Sequence, residues 1–93
     1  MQKLTLFYLE HCPYCRKAFR VLVALAAEKP EYAAVELERV EESRFPEIAG
    51  RYDYYYVPCV FLGGEKLWEC SPADGYDEIL GHLRAALDAA IEG

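Results

Sequence analysis

Glu10-His11-Cys12-Pro13-Tyr14-Cys15-Arg16-Lys17 is the stretch from which the fold can be read. It is preceded by an apolar, strand-like segment, Leu4-Thr5-Leu6-Phe7-Tyr8-Leu9, and followed by a helix-like run, Ala18 to Ala27. Pro13 suits the first helical position, where its missing N–H would be unpaired anyway. That places Cys12 at the N-cap and Cys15 one turn later on the same side. A thiol at a helix start faces unpaired backbone N–H groups and the positive end of the dipole. The dipole favours a thiolate there by at most about 2 kcal/mol, and the thiolate is the form that attacks a disulfide. As a purely structural crosslink the pair would do little: closing so short a loop contributes only about 2 kcal/mol. The placement points to a redox-active pair.

The rest of the chain supplies a scaffold for that junction. Lys3 to Leu9 reads as a central strand covered on both faces. The first helix is predicted over Pro13 to Glu28, with Phe19, Leu22, Val23 and Ala26 at helical spacing and Pro30 as its stop. Tyr32 to Val40 reads as a second strand parallel to the first. A short helix is expected from Ser43 or Arg44 through Tyr52, with Glu41, Glu42 and Glu47 around its positive end. Pro58 has no N–H for a ladder and belongs at the start of the strand Cys59 to Leu62. Gly63-Gly64 turns that strand into Glu65 to Glu69. Ser71-Pro72-Ala73-Asp74 resembles a helix cap, and Tyr76, Ile79, Leu80, Leu83, Leu87, Ala90 and Ile91 form the stripe of a last helix, starting at Ser71 or Asp74.

Composition bounds the rest. Ninety-three residues suit a single domain, 1–93, and a hydrophobic fraction of 54% suits a packed core. A net charge of −6 argues against nucleic acid and anionic membranes as partners. The apolar run before the cysteines is too short for a signal segment, and none approaches membrane-spanning length. The expected compartment is the cytoplasm, where a C-x-x-C reads as redox or metal chemistry rather than as a staple.

Strand, Cys-Pro-Tyr-Cys, helix, strand, helix, Val-Pro, hairpin, helix is an order that resembles the thioredoxin fold in its minimal form. With Val57-Pro58-Cys59-Val60-Phe61-Leu62, the chain resembles a glutaredoxin over essentially its whole length. The resemblance implies an α/β fold, β-α-β-α-β-β-α, with a four-stranded mixed sheet and helices on both faces. It implies a dithiol oxidoreductase in which Cys12 is the nucleophile, Cys15 resolves the mixed disulfide, and the two form the redox-active disulfide. It also implies a cis Val57-Pro58 peptide against the active pair, aiming the Val57 backbone at an extended peptide or at glutathione as an added strand. Tyr14 and Tyr56 complete the expected substrate-binding set. No bound cofactor is expected, with glutathione as a possible co-substrate. The expected partners are a protein disulfide or glutathione mixed disulfide and a reductant, either glutathione or thioredoxin reductase, acting on a monomer.

This chain departs from the family at several positions. Tyr56 stands where Thr or Ser usually precedes Val-Pro. Trp68-Glu69 replaces the usual Gly-Gly before the glutathione-binding stretch. Glu10 and His11 stand where a basic residue often precedes the motif. Glutathione is anionic, so Glu10 and Glu69 are expected to repel part of it. The Trp-x-x-x-Pro segment is also similar to the glutaredoxin-like electron donors of ribonucleotide reductase. Cys59 and Cys70 are expected as buried small side chains. Ten residues lie between them and they form no second C-x-x-C, so no metal site is assigned, although a metal or iron–sulfur carrier using Cys12 is the alternative from the binding class. A redox-sensing adaptor using Tyr54-Tyr55-Tyr56 is another. His11 is read as solvent-facing, and His82 lies off the apolar stripe of the last helix with no visible partner.

Overall fold

The computed structural model describes residues 1–93. In chain order it contains β1 (Leu4–Tyr8), α1 (Pro13–Glu28), α2 (Pro30–Ala34), β2 (Leu37–Glu41), α3 (Pro46–Ala49), β3 (Cys59–Leu62), β4 (Glu65–Glu69) and α4 (Tyr76–Glu92). The four strands form one sheet in the order β2-β1-β3-β4. β1 and β2 are parallel, and the other two pairings are antiparallel. This is the α/β, thioredoxin-like arrangement that the resemblance implies.

Alternation along β1 divides the interior in two. Leu4 and Leu6 face α1, α2 and α4, joining Ala18, Val21, Leu25, Tyr32, Val60, Trp68, Ile79, Leu83 and Leu87 in the larger core. Phe7 faces the other way, with Val40, Cys59 and Phe61, under Ile48 and Ala49 of α3 and the rings of Tyr52 and Tyr54. Helices therefore cover both sheet faces, but the α3 side is thin. Rings do the filling there: Tyr54 stacks on Phe7 at 4.8 Å, and Tyr52 meets Phe61 at 4.8 Å.

The structure moves three boundaries. Tyr32 lies in α2 rather than in a strand, and the second strand begins only at Leu37. Pro30 ends α1, as expected, and then serves as the first residue of a further helical turn. That turn buries Tyr32, whose hydroxyl donates to Asp88 Oδ1 on α4 at 2.8 Å. The third helix is shorter than the sequence suggests. Ser43 and Arg44 form a turn before it, because the Glu41 carboxylate accepts the Ser43 N–H at 2.7 Å, the Ser43 hydroxyl at 2.5 Å and the Arg44 N–H at 3.3 Å. The last helix starts at Tyr76, not at Ser71 or Asp74. Asp74 Oδ2 instead accepts the Ser71 N–H at 3.0 Å and the Trp68 indole N–H at 3.3 Å. Residues 71–74 thus make a turn of their own, and Gly75 becomes the N-cap, its N–H donating to Glu78 Oε1 at 2.8 Å.

The hairpin between β3 and β4 needs glycine at one place. Gly63 has φ of 60°, the left-handed region that costs glycine little.

Candidate active site

Cys12 stands between the end of β1 and the start of α1, with N-cap dihedrals of φ −87° and ψ 122°. Pro13 follows at N1, as its fixed φ favours. The helix then carries the Cys15 N–H round to donate to Cys12 Sγ at 3.4 Å. The Cys12 thiol itself points across the end of the sheet to the Val57 carbonyl, at 3.9 Å. The Val57-Pro58 peptide is cis, as the resemblance implied. Pro58 is buried, and its carbonyl accepts the Cys70 N–H at 3.0 Å, which ties the start of β3 to the end of β4.

The two motif thiols differ sharply in environment. Cys12 is half-buried, whereas Cys15 is 1% exposed. Burial pushes the Cys15 thiol up to about 12; the Leu9 backbone opposes this, and the Cys12 thiol adds to it. The outer sulfur is the accessible one of the pair, and the inner one is enclosed behind it with its proton favoured by burial. All four cysteines are free thiols. Cys59 and Cys70 are both buried, as expected, and burial raises them to about 12 and about 11.

Around Cys12, the segment Leu9 to Cys12 forms a cleft of about 320 Å³ with Glu41 and Ser43. His11 is exposed at its rim. Glu41 is buried at the end of β2, and its Oε2 accepts the Glu10 N–H at 3.1 Å, pinning the approach to Cys12. Hydrogen bonds, first from the Ser43 hydroxyl, hold its carboxyl below the usual carboxylate range. The sequence places Glu41 at a helix dipole; its partners are instead the Ser43 hydroxyl and the backbone N–H groups of Glu10, Ser43 and Arg44.

Tyr14 is half-buried, and its hydroxyl donates to the Pro72 carbonyl at 3.0 Å, bridging α1 to the 71–74 turn. Tyr56 is exposed beside Val57, and Tyr55 is 93% exposed. Tyr52 and Tyr54 do not join them: their rings belong to the core beneath α3. His82 is exposed, but it has a partner, stacking on Trp68 at 5.4 Å.

The two acids expected to repel an anionic thiol are both paired. Glu10 meets Arg44 at 2.9 Å, and Glu69 meets Lys66 at 2.7 Å. Glu69 does more than this. Its Oε2 accepts the N–H groups of Tyr55 at 2.7 Å and Tyr56 at 2.6 Å. The only sequence signal for this role was its place where the family usually has glycine.

The family model for glutaredoxin matches residues 4–67, from the start of β1 into β4 and across both halves of the site. The chain belongs to the glutaredoxin family. This glutaredoxin-family chain is also similar to a curated thioredoxin of Methanocaldococcus jannaschii, 35% identical over 63 residues, covering 68% of this chain and 72% of the relative. Among solved structures, thioredoxin 1 from Thermosipho africanus superposes with a TM-score of 0.60 at 13% identity, covering 95% and 97% of the two chains. The zinc-bound form of human ERp44 gives 0.56 at 20% identity, covering 91% of this chain and 26% of that one. At these identities the structural likenesses speak to fold alone. Family and fold together make the chain a thiol oxidoreductase of the thioredoxin-like kind. None of its helices is long and apolar enough to cross a membrane.

Proposed function

We propose that the protein is a dithiol–disulfide oxidoreductase that reduces protein disulfides through Cys12 and Cys15. The observation that carries this reading is the asymmetry of the pair. One sulfur sits at a helix N-cap, accepting a backbone N–H and accessible to solvent, with a buried thiol one turn behind it. Val57 supports the same reading. Its N–H makes no hydrogen bond within the chain, and its carbonyl meets only the Cys12 thiol, so an extended substrate segment has backbone groups to pair with.

In the proposed reaction, the Cys12 thiolate attacks one sulfur of the substrate disulfide. A Cys12–substrate bond forms, the substrate disulfide breaks, and the leaving thiolate takes up a proton. Cys15 then gives up its proton and attacks Cys12 Sγ. The mixed disulfide breaks, the second substrate thiol leaves, and Cys12–Cys15 becomes a disulfide. Two electrons from an external thiol or dithiol reductant restore the pair. Tyr14 fixes one wall of the site, and Tyr56 flanks Val57 on the other. The reaction requires no organic cofactor, and the cytoplasm is the compartment whose reducing poise suits it.

Cys12→Ser should abolish disulfide reduction, and Cys15→Ser should accumulate a mixed disulfide visible by mass. An unchanged rate in Cys12→Ser would overturn the assignment. Supplying electrons from glutathione with its reductase, and separately from thioredoxin reductase, on one disulfide substrate identifies the physiological reductant class.

A further inference from the structure

We propose that Glu69 is a positioning residue that sets the substrate preference of this site, presenting Val57 to extended peptide disulfides and withholding nearby backbone donors from small carboxylate-bearing thiols. The inference rests on the dithiol reading above and concerns which disulfide the pair accepts.

Residues 53–57 form no helix or strand, yet they must hold the Val57 carbonyl against Cys12. Tyr54 and Val57 pack against the smaller core, but the rings of Tyr55 and Tyr56 between them are exposed, so packing does not fix the middle of this segment. The anchor there is one carboxylate. Glu69 ends β4, directly opposite Cys59, where the segment enters the sheet. Oε2 takes the two consecutive N–H groups of Tyr55 and Tyr56, and Oε1 takes the Lys66 ammonium. Lys66 in turn donates to the Asp53 carbonyl at 3.4 Å, so the start of the segment is held by the same pair. Charge-assisted bonds of this kind are the stronger class. The carboxyl is held below the usual carboxylate range, first by the Lys66 bond and then by the Tyr56 N–H.

The same contacts have a second effect. Consecutive backbone N–H groups are a ready anion site, and here the chain fills it with its own carboxylate. Asp74 does likewise on the other side of the β3–β4 junction, taking the Ser71 N–H and the Trp68 indole N–H. A ligand carboxylate arriving at either place finds donors already engaged. A neutral backbone segment arriving at Val57 does not.

The test uses two probes, a short extended cysteine peptide and glutathione, each as its mixed disulfide with thionitrobenzoate. Thionitrobenzoate release from reduced protein in a single turnover, followed against probe concentration, separates half-saturation from limiting rate. Glu69→Ala should raise the half-saturating concentration of the peptide probe about tenfold, the scale of one lost charge-assisted bond, with a much smaller change in limiting rate. It should lower that of the glutathione probe. Glu69→Gln keeps a carbonyl for the two N–H groups and should restore most of the peptide affinity. Unchanged half-saturation in Glu69→Ala, or equal losses in both variants, would overturn the proposal. Cys12→Ser run in parallel separates the two readings: inactivity there with unaltered binding in Glu69→Ala rejects the Glu69 assignment alone.

A spectroscopic signature needs no destabilising variant. In the wild-type protein the Tyr55 and Tyr56 amide protons should titrate together, with a midpoint below the ordinary carboxylate range. Lys66 and the Cys59 thiol also face this carboxylate, and the Asp53 carboxyl acts on Lys66. Glu69→Gln therefore serves as the control and should abolish the titration. Independent behaviour of the two amides would equally overturn the assignment.

Discussion

The resolving step should be governed by the burial of Cys15. In the reduced pair Cys15 is raised from 9.0 to about 12, and burial, the largest cause, persists when Cys12 is held in a mixed disulfide. At neutral pH its thiolate population is then about a thousandfold below that of an exposed cysteine. Proximity offsets this handicap, because an attacking group held one helical turn away acts at a very high effective concentration. The pH dependence remains. A thiol that ionises near 12 gains thiolate tenfold for each pH unit throughout the range in which the protein can be assayed. Ellman's reagent reads the two steps separately: a first thionitrobenzoate leaves when Cys12 attacks, and a second when Cys15 attacks the Cys12 mixed disulfide. The logarithm of the second rate should climb with a slope of about one between roughly pH 6 and 9. The phase should vanish in Cys15→Ser. A plateau near the ordinary cysteine range would show that Cys15 titrates as a free thiol. A second phase surviving in Cys15→Ser would show that another sulfur, such as Cys70, performs the step. Either result refutes the division of labour described here.

Three further outcomes concern stability. Leu25 is fully buried in the α1–α4 interface, so Leu25→Ala should cost about 2–5 kcal/mol in denaturant unfolding. Val23 is 70% exposed on the same helix, and Val23→Ala should change stability by about 0.5 kcal/mol or less. Alkali should destabilise the reduced protein. Burial holds protons on Cys15, Cys59 and Cys70 up to about 12, 12 and 11, whereas the unfolded chain loses them near 9. The native state binds more protons across that window, so stability falls as pH rises from about 9 toward 11 and 12. Thermal melts at stepped pH should show this fall, and Cys59→Ala should flatten it.

Much of this molecule is legible in its sequence because the deciding signals are local. Pro13 after Cys12 sets the helix start, Pro58 sets a strand start, and Gly63-Gly64 sets a two-residue turn. Each acts through its own backbone. What escaped detection acts across distance. Pro30 reads as a stop, yet the chain coils once more after it, burying Tyr32 in the larger core and bonding its hydroxyl to Asp88 on α4. Asp74 reads as a helix-capping acid, yet its carboxylate serves the backbone behind it and the Trp68 indole. Glu41 and Glu69 each satisfy backbone N–H groups on a segment remote in the chain, Glu10 for the first and Tyr55 and Tyr56 for the second, and an N–H donor leaves no mark on residue type. The different burial of Cys12 and Cys15 is likewise a property of the packed helix and not of the motif.

The first and last turns of the molecule meet. The Gln2 N–H donates to the Ala90 carbonyl at 2.9 Å, and a side-chain carbon built on Gly93 would strike the Gln2 side chain at 2.8 Å. This meeting lies at the opposite end of β1 from Cys12. A tether, label or fused domain attached at residue 1 or residue 93 therefore emerges from the pole remote from the reacting sulfur. A short bridge between the two would permit new ends to be cut elsewhere, such as at the exposed Gly63-Gly64 tip, without disturbing the face where disulfides arrive.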